Sequence, residues 1–383
     1  LARDGYPARQ ELSRRSLEDG QGAMESLVRV NTEFWKKKRV LVTGHTGFKG
    51  SWLAFLLRKF GSDVTGLSLS PKGNPSLFES AQIGELCTNI ELDITKLRND
   101  LPTFADKQFD CVIHLAAEPL VRTSYARPVE TFETNLMGTL RLLEMCRTIK
   151  DLKAIVVVTT DKVYRNIDDG RVFTEDDQLG GRDPYSSSKA AVELVVNCYR
   201  KSFFEGLGIG LSSCRAGNVV GGGDWGIDRL VPDAVRAWKS ENLLEIRNPS
   251  AVRPWQFVLD VLFGYLAVAQ AMFETPSASR AWNIGPQPQD ARWTVLDIAS
   301  ELQTFLPGLE IGFDESDGRL HEARELALDS SNIREIIGHS SLLRVNEALE
   351  WTTSWYRDFF DGQPAHLLCD TQLARYAERY DAR

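Results

Sequence analysis

Tyr185-Ser-Ser-Ser-Lys189 places a phenol and an amine four residues apart, on one face of a helix. Asp183-Pro184 caps and opens that helix, so Tyr185 falls in its first turn. A free phenol titrates near pH ~10 and is a poor base at neutrality. An adjacent ammonium, and a cationic cofactor ring, would favour the phenolate. Tyr185 can then take the proton of an alcohol while a hydride leaves, with Lys189 as its electrostatic support. Thr159-Thr160-Asp161-Lys162 closes a separate apolar run and brings a hydroxyl, a carboxyl and an amine to one strand end.

A hydride acceptor has its own signature. Lys38-Arg-Val-Leu-Val-Thr-Gly-His-Thr-Gly-Phe-Lys-Gly50 runs a short apolar strand into Gly44, Gly47 and Gly50, and Trp52–Lys59 reads as the helix that follows. Glycine permits the tight turn and lets backbone N–H groups approach a pyrophosphate. The helix N-terminus adds unpaired donors and partial positive charge. The spacing is G-x-x-G-x-x-G, a variant of the commoner dinucleotide fingerprint.

The elements that must position these groups alternate along the chain. Arg39–Thr43, Val64–Leu69, Asp110–His114, Ala154–Thr159 and Ile209–Arg215 read as buried strands, with helices over Pro128–Thr148 and Pro184–Phe204. Near-continuous apolar strands separated by helices imply an α/β fold: a Rossmann-like, doubly wound parallel sheet with ligands at the carboxyl ends of the strands. We place this dinucleotide-binding domain at 34–216. A smaller C-terminal α/β substrate lobe spans 217–383, with Val258–Phe273 packing back on the sheet and Asn346–Asp361 closing the lobe. Residues 1–33 lack an apolar period and read as a disordered extension. Met24, just before the ordered pattern, reads as the natural start.

Composition narrows the classes further. The net charge of −8 and the absence of a basic stripe interleaved with aromatics argue against nucleic-acid binding. No apolar run reaches membrane-spanning length. Six scattered cysteines without a C-x-x-C pair fit reduced thiols in a cytoplasmic protein, and five histidines that do not cluster with them give no metal site.

The glycine triplet, the strand end His114-Leu-Ala-Ala117 and the Tyr185/Lys189 pair together resemble the extended short-chain dehydrogenase/reductase superfamily. The resemblance implies cofactor contacts from Gly44, Thr46, Gly47, Phe48, Gly50, His114, Ala116, Ala117, Tyr185 and Lys189, with Asp93 and Ile94 at the adenine. Thr159-Thr160-Asp161-Lys162 narrows it, because simple reductases and epimerases have no acid after the threonine at this place. Thr-Asp-Lys, together with Gly44–Trp52, Pro75–Phe78, Pro119–Arg122, Arg215–Trp225 and Arg253–Gln256, is similar to the branch that dehydrates CDP-glucose at C4 and C6.

That resemblance implies a three-step reaction on a nucleotide-diphospho-hexose. Tyr185 takes the O4 proton as hydride passes from C4 to NAD, with Thr160 orienting the hydroxyl. Asp161, held neutral by burial, protonates the departing C6 hydroxyl. Lys162 is either the C5 base or an electrostatic partner. Hydride then returns to C6. Arg253 and Asn218 are expected at the substrate diphosphate, where a guanidinium matches oxygen pairs bidentately; Arg229 and Trp255 are further candidates for nucleotide recognition. The second strand ends without the usual ribose-binding acid, which leaves both NAD and NADP open, and a cycling hydride favours NAD. The stripes on Pro128–Thr148 and Pro184–Phe204 fit the four-helix interface of a homodimer and also intramolecular packing. A nucleotide-sugar 4-epimerase, or a non-catalytic NAD-sensing interaction protein on the same scaffold, are the competing readings; an epimerase has no need of Asp161.

Overall fold

The computed structural model describes residues 29–98, 108–313 and 323–383. A seven-stranded parallel sheet forms its centre. The strands are β1 (Arg39–Thr43), β2 (Asp63–Ser68), β3 (Thr88–Glu91), β4 (Cys111–His114), β5 (Ala154–Val158), β6 (Gly210–Ala216) and β10 (Ala281–Ile284). Their order is β10-β6-β5-β4-β1-β2-β3, so the direction of winding reverses between β1 and β4. Valine, isoleucine and leucine dominate β1, β4 and β5, and every residue of β5 and β6 is buried. Branched side chains suit a pleated surface covered on both faces.

Four helices matter most to the site. α1 (Phe48–Lys59) follows β1, starts earlier than the apolar pattern indicates, and takes Gly47 as its N-cap. α2 (Gly138–Cys146) continues a helical stretch that begins at Pro128 and passes through a π turn at Glu133–Met137. α3 (Pro184–Tyr199) carries Pro184 in its first turn and is capped by Asp183, whose carboxylate accepts from the Ser186 N–H at 2.9 Å. α4 (Val258–Glu274) is apolar all round and packs against β5 and β6.

The sequence reading returns only α4 to the sheet from the C-terminal half. The structure adds β10, which pairs with β6 through Ala281↔Ser213 to Ile284↔Ala216. Two small parallel pairs, β7 (Asn218–Val220) with β9 (Trp255–Phe257) and β8 (Leu243–Ile246) with β11 (Glu310–Phe313), stand over the strand ends. Most of the expected N-terminal extension lies outside the described residues. Its last residues are held in place: Val30 is buried, its N–H donates to the Tyr380 hydroxyl at 3.1 Å, and Asn31 caps a short helix at Thr32–Trp35. The boundary at residue 34 therefore moves toward the N-terminus, because Val30 and Trp35 are core side chains. Among the described residues no helix is long and apolar enough to cross a membrane, and no three His, Cys, Asp or Glu side chains group to hold a metal ion.

Candidate active site

The glycine turn is built by close approach. Gly44 has φ +73°, and a Cβ on it would lie 2.7 Å from the Ala116 nitrogen. A Cβ on Gly50 would lie 2.1 Å from the Gly44 carbonyl oxygen. Neither position admits a side chain. Gly47 is exposed and meets only one atom at 3.4 Å, so its value lies in leaving the N-terminus of α1 open. The Thr46 hydroxyl donates to the Leu69 carbonyl at 2.9 Å and pairs with the Ser68 hydroxyl at 2.8 Å, fixing the turn to the end of β2. No acid replaces Ser68 there; Lys72, the nearby cation, is paired with Glu118 at 3.0 Å.

His114 does not reach the cleft. Its Nδ1 lies 2.6 Å from the Thr43 hydroxyl and its Nε2 2.9 Å from the Thr139 hydroxyl. Thr139 donates its proton to the Asn135 carbonyl, so it accepts from His114 Nε2–H. Nδ1 then accepts from Thr43, whose oxygen receives the Ala116 N–H at 3.2 Å. The tautomer follows from this chain of donors. Burial pulls the imidazole down to about 3, so it is neutral. Its contribution to a cofactor site is to fix Ala116, and through it Ala117, against the glycine turn. Asp93 accepts from Thr95 N–H at 2.9 Å, while the Ile94 side chain is in the core against Gly138, leaving its backbone as the part that can reach a ligand.

One cleft of about 320 Å³ brings together Phe48, Thr160, Asp161, Lys162, Tyr185, Asn218, Arg229, Arg253 and Trp255. Thr160 ends the β5 segment and donates to Asp161 Oδ1 at 2.9 Å; it also shares a hydrogen bond with Tyr185. Asp161 is buried, and its Oδ2 has no partner. Lys162 Nζ lies 3.9 Å from Asp161 Oδ1 on a side chain that is 23% exposed. Tyr185 N–H donates to Ser124 Oγ at 3.1 Å, which ties the first turn of α3 to a neighbouring helix. Burial pushes the Tyr185 phenol up to about 12, opposed by its bond with Thr160. Lys189 donates to the Val158 carbonyl at 3.1 Å, and burial, then the charge of Lys49, lowers it to about 7. A cationic ring beside the phenol would act in the direction the base requires.

The outer wall is already partly paired. Arg229 holds Asp224 at 3.0 Å. Arg253 is buried and donates to the Val252 carbonyl at 2.8 Å. Asn218 is fixed through its backbone to Pro254, and the indole N–H of buried Trp255 has no partner.

Two groups escape the sequence reading. Lys49, in the first turn of α1, lines the cleft; the sequence reading begins that helix at Trp52 and gives Lys49 no role. Glu193 lies one further turn along the Tyr185/Lys189 face. It accepts from Ser213 at 2.7 Å, from Arg215 at 2.8 Å, and from Thr159. The spacing Tyr185, Lys189, Glu193 is the signal that could have marked it.

The chain matches the model of the NAD dependent epimerase/dehydratase family over residues 40–285. It is 40% identical to the CDP-glucose 4,6-dehydratase of Salmonella typhimurium strain LT2, over 91% of this chain and 98% of that protein. Among solved structures it resembles TunA, described as an NAD-dependent NDP-hexosamine 5,6-dehydratase of tunicamycin biosynthesis. That match has a TM-score of 0.70 at 25% identity and covers 84% of this chain and 98% of that one. MoeE5 in complex with UDP-glucuronic acid and NAD gives the same TM-score and identity, over 84% and 99%. The glycine turn, the Tyr185/Lys189 helix and the extent of these matches place the chain in the NAD-dependent epimerase/dehydratase family.

Proposed function

We propose that this chain is a CDP-glucose 4,6-dehydratase, converting CDP-D-glucose to CDP-4-dehydro-6-deoxy-D-glucose and water. The observation that carries the reading is the Oδ2 of Asp161, buried in the cleft wall with no protein partner. Buried carboxyl oxygens are normally hydrogen-bonded. An unmet one beside Thr160 and Tyr185 suits a substrate hydroxyl, and a departing hydroxyl needs an acid there. The relative at 40% identity supports the cytidine nucleotide.

The glycine turn from Gly44 to Gly50, the backbone at Asp93 and Ile94, and Tyr185 with Lys189 would hold NAD, which supplies a reversible hydride store. Thr160 orients the O4 hydroxyl and Tyr185 takes its proton as C4 loses hydride. The resulting ketone acidifies C5. Lys162 takes the C5 proton while Asp161 protonates the C6 hydroxyl, which leaves as water. Lys162 returns its proton to C5 as C6 gains hydride, and the proton that Tyr185 took from O4 passes through solvent to Asp161, so each side chain ends as it began. The sugar has then lost one H⁺ and one OH⁻, with no net oxidation. Arg253 and Asn218 bind the diphosphate, with Arg229 and Trp255 toward the nucleoside.

A cytoplasmic homodimer accords with six free thiols and with Val129, Met137 and Leu194 exposed on the stretch leading into α2 and on α3. Incubation with CDP-glucose and NAD tests the activity: a 4-keto-6-deoxy product, absorbing at alkaline pH, is expected. Formation of the C4 epimer without water loss would replace this reading with a 4-epimerase.

A further inference from the structure

A second cavity, of about 180 Å³, shares no lining residue with the catalytic cleft. It opens at the carboxyl end of β10, where Ile284 runs into Gly285, and its other wall is the segment 330–341 together with Arg383. The carboxyl ends of the strands are where ligands gather in a parallel sheet. His339 lines this cavity, is only 3% exposed, and has no hydrogen-bond partner at either ring nitrogen. Buried polar atoms are normally satisfied, so an orphaned imidazole asks for a partner that the protein does not supply. One edge of the ring packs on α4: a Cβ on Gly264 would lie 2.9 Å from Nε2 and 3.2 Å from Cδ2. Nε2 lies toward the Asp260 backbone without completing a hydrogen bond. Nδ1, at the opposite corner of the ring, is the nitrogen left to the cavity.

The charge around that nitrogen is of one sign. Arg334 and Arg383 line the cavity, and no Asp or Glu does. Arg334 donates to Ser331 Oγ at 3.0 Å, and Arg383 donates to the Ser340 and Ser341 carbonyls at 3.0 and 3.5 Å. Each guanidinium carries more donors than these bonds use. Ser330 and Ser340 add hydroxyls to the wall. Burial, then the Arg383 charge, brings His339 down to about 4, so the empty site holds a neutral ring. Such a lining repels a cation and matches an oxyanion, whose oxygens accept from guanidinium and hydroxyl donors. A phosphate group adds a hydroxyl when singly protonated, so it can meet Nδ1 in either tautomer of the imidazole. The space is smaller than the about 300 Å³ at which pockets for drug-sized ligands begin, which suits one such group and excludes a nucleotide. We propose that this cavity binds a phosphate group, as the free ion or as the end of a monoester, between Arg334 and Arg383 with a hydrogen bond at His339 Nδ1. Neither the cavity nor its residues enter the dehydratase reading.

Heteronuclear NMR of the histidine side chains in the full chain, titrated with inorganic phosphate near neutral pH, tests this. The His339 signal, assigned by its loss in His339→Gln or His339→Asn, should move and saturate, and chloride at the same ionic strength should leave it in place. The Kd for phosphate should rise by about tenfold or more in Arg334→Gln, which removes a charge-assisted contact. Arg383→Gln, at an exposed residue, gives the same reading if the first variant fails to fold. Methyl phosphate separates the two sources: saturation with it identifies a monoester end as a ligand, and a response to inorganic phosphate alone identifies the free ion. A His339 signal indifferent to both phosphates, or a Kd unchanged in both arginine variants, overturns the proposal.

Discussion

Two carboxylates sit near the carboxyl end of β5 and are treated in opposite ways. Glu193, on α3, has both oxygens engaged, by Thr159 on one side and by Ser213 and Arg215 on the other. Burial pushes its carboxyl up, but Arg215 and the two hydroxyls outweigh burial and hold it below the usual range. Arg215 goes on to donate to Tyr164 at 2.9 Å and to the Glu175 carbonyl at 3.0 Å. Asp161, on the adjoining turn, has one oxygen engaged by Thr160 and the other by nothing. The first carboxylate spends its hydrogen bonds on geometry, locking the ends of β5 and β6 to α3. The second keeps one oxygen unmet, and the proposed acid role rests on that oxygen.

Substitutions can separate the two. Glu193→Ala leaves the Arg215 guanidinium buried without its anion and should cost about 3–5 kcal/mol of unfolding free energy, read from urea titration. A loss below ~1 kcal/mol would mean that the Glu193 cluster is not structural. Asp161→Asn should do the reverse. Turnover should fall by about 10²–10⁴ while the urea midpoint and dinucleotide binding hold, and near-normal turnover would remove Asp161 as the acid.

Two desolvated lysines give a smaller, pH-dependent effect. Lys49 and Lys189 lie at about 8 and about 7 in the folded chain. An unfolded lysine titrates near ~10.4 and so binds more protons above neutrality than the folded one, which makes stability rise with pH. The urea midpoint should therefore climb between pH 7 and 9, and the slope should flatten in Lys189→Met. A flat native profile would contradict the burial of these amines. The smallest effect belongs to Lys72→Ala. Its exposed pair with Glu118 should contribute about 0–1 kcal/mol. If Lys72 instead recognised a 2′-phosphate, the variant would lose NADP binding selectively.

The central strands were legible because short runs of buried apolar side chains mark them, most fully in Ala154–Val158. Thr88–Glu91 is a mostly exposed edge strand of mixed polarity, inferable only as the element preceding Asp93. Ala281–Ile284 is four residues long, contains Asn283, and finds its partner far back in the sequence, so no local pattern marks it as a sheet strand. The π turns at Glu133–Met137 and Arg200–Phe204 interrupt helices that periodicity reads as continuous. At the site, Thr160–Lys162 and Tyr185 were readable because each is a short linear motif and the sheet topology brings motifs at strand ends together. Lys49 and Glu193 were not. A lysine in a helix turn and a glutamate on a helix face have the same sequence appearance whether they meet water or a buried partner, and only tertiary contacts distinguish the cases. The ring of His114, a plausible cofactor contact from its place at a strand end, is instead used up between Thr43 and Thr139.

The position of β10 bears on how such a chain can be made. A ribosome that has released residues only as far as Ala216 has delivered the nucleotide turn, Asp161 and Tyr185, but β6 is still an open edge and lacks the α4 cover that it shares with β5. Unpaired edges recruit other strands. The first half must therefore wait for Ala281–Ile284 to emerge before β6 is paired on both sides, and a gene fragment cut at the apparent domain boundary would leave the long β6 edge open and yield an aggregation-prone piece instead of a free-standing cofactor module.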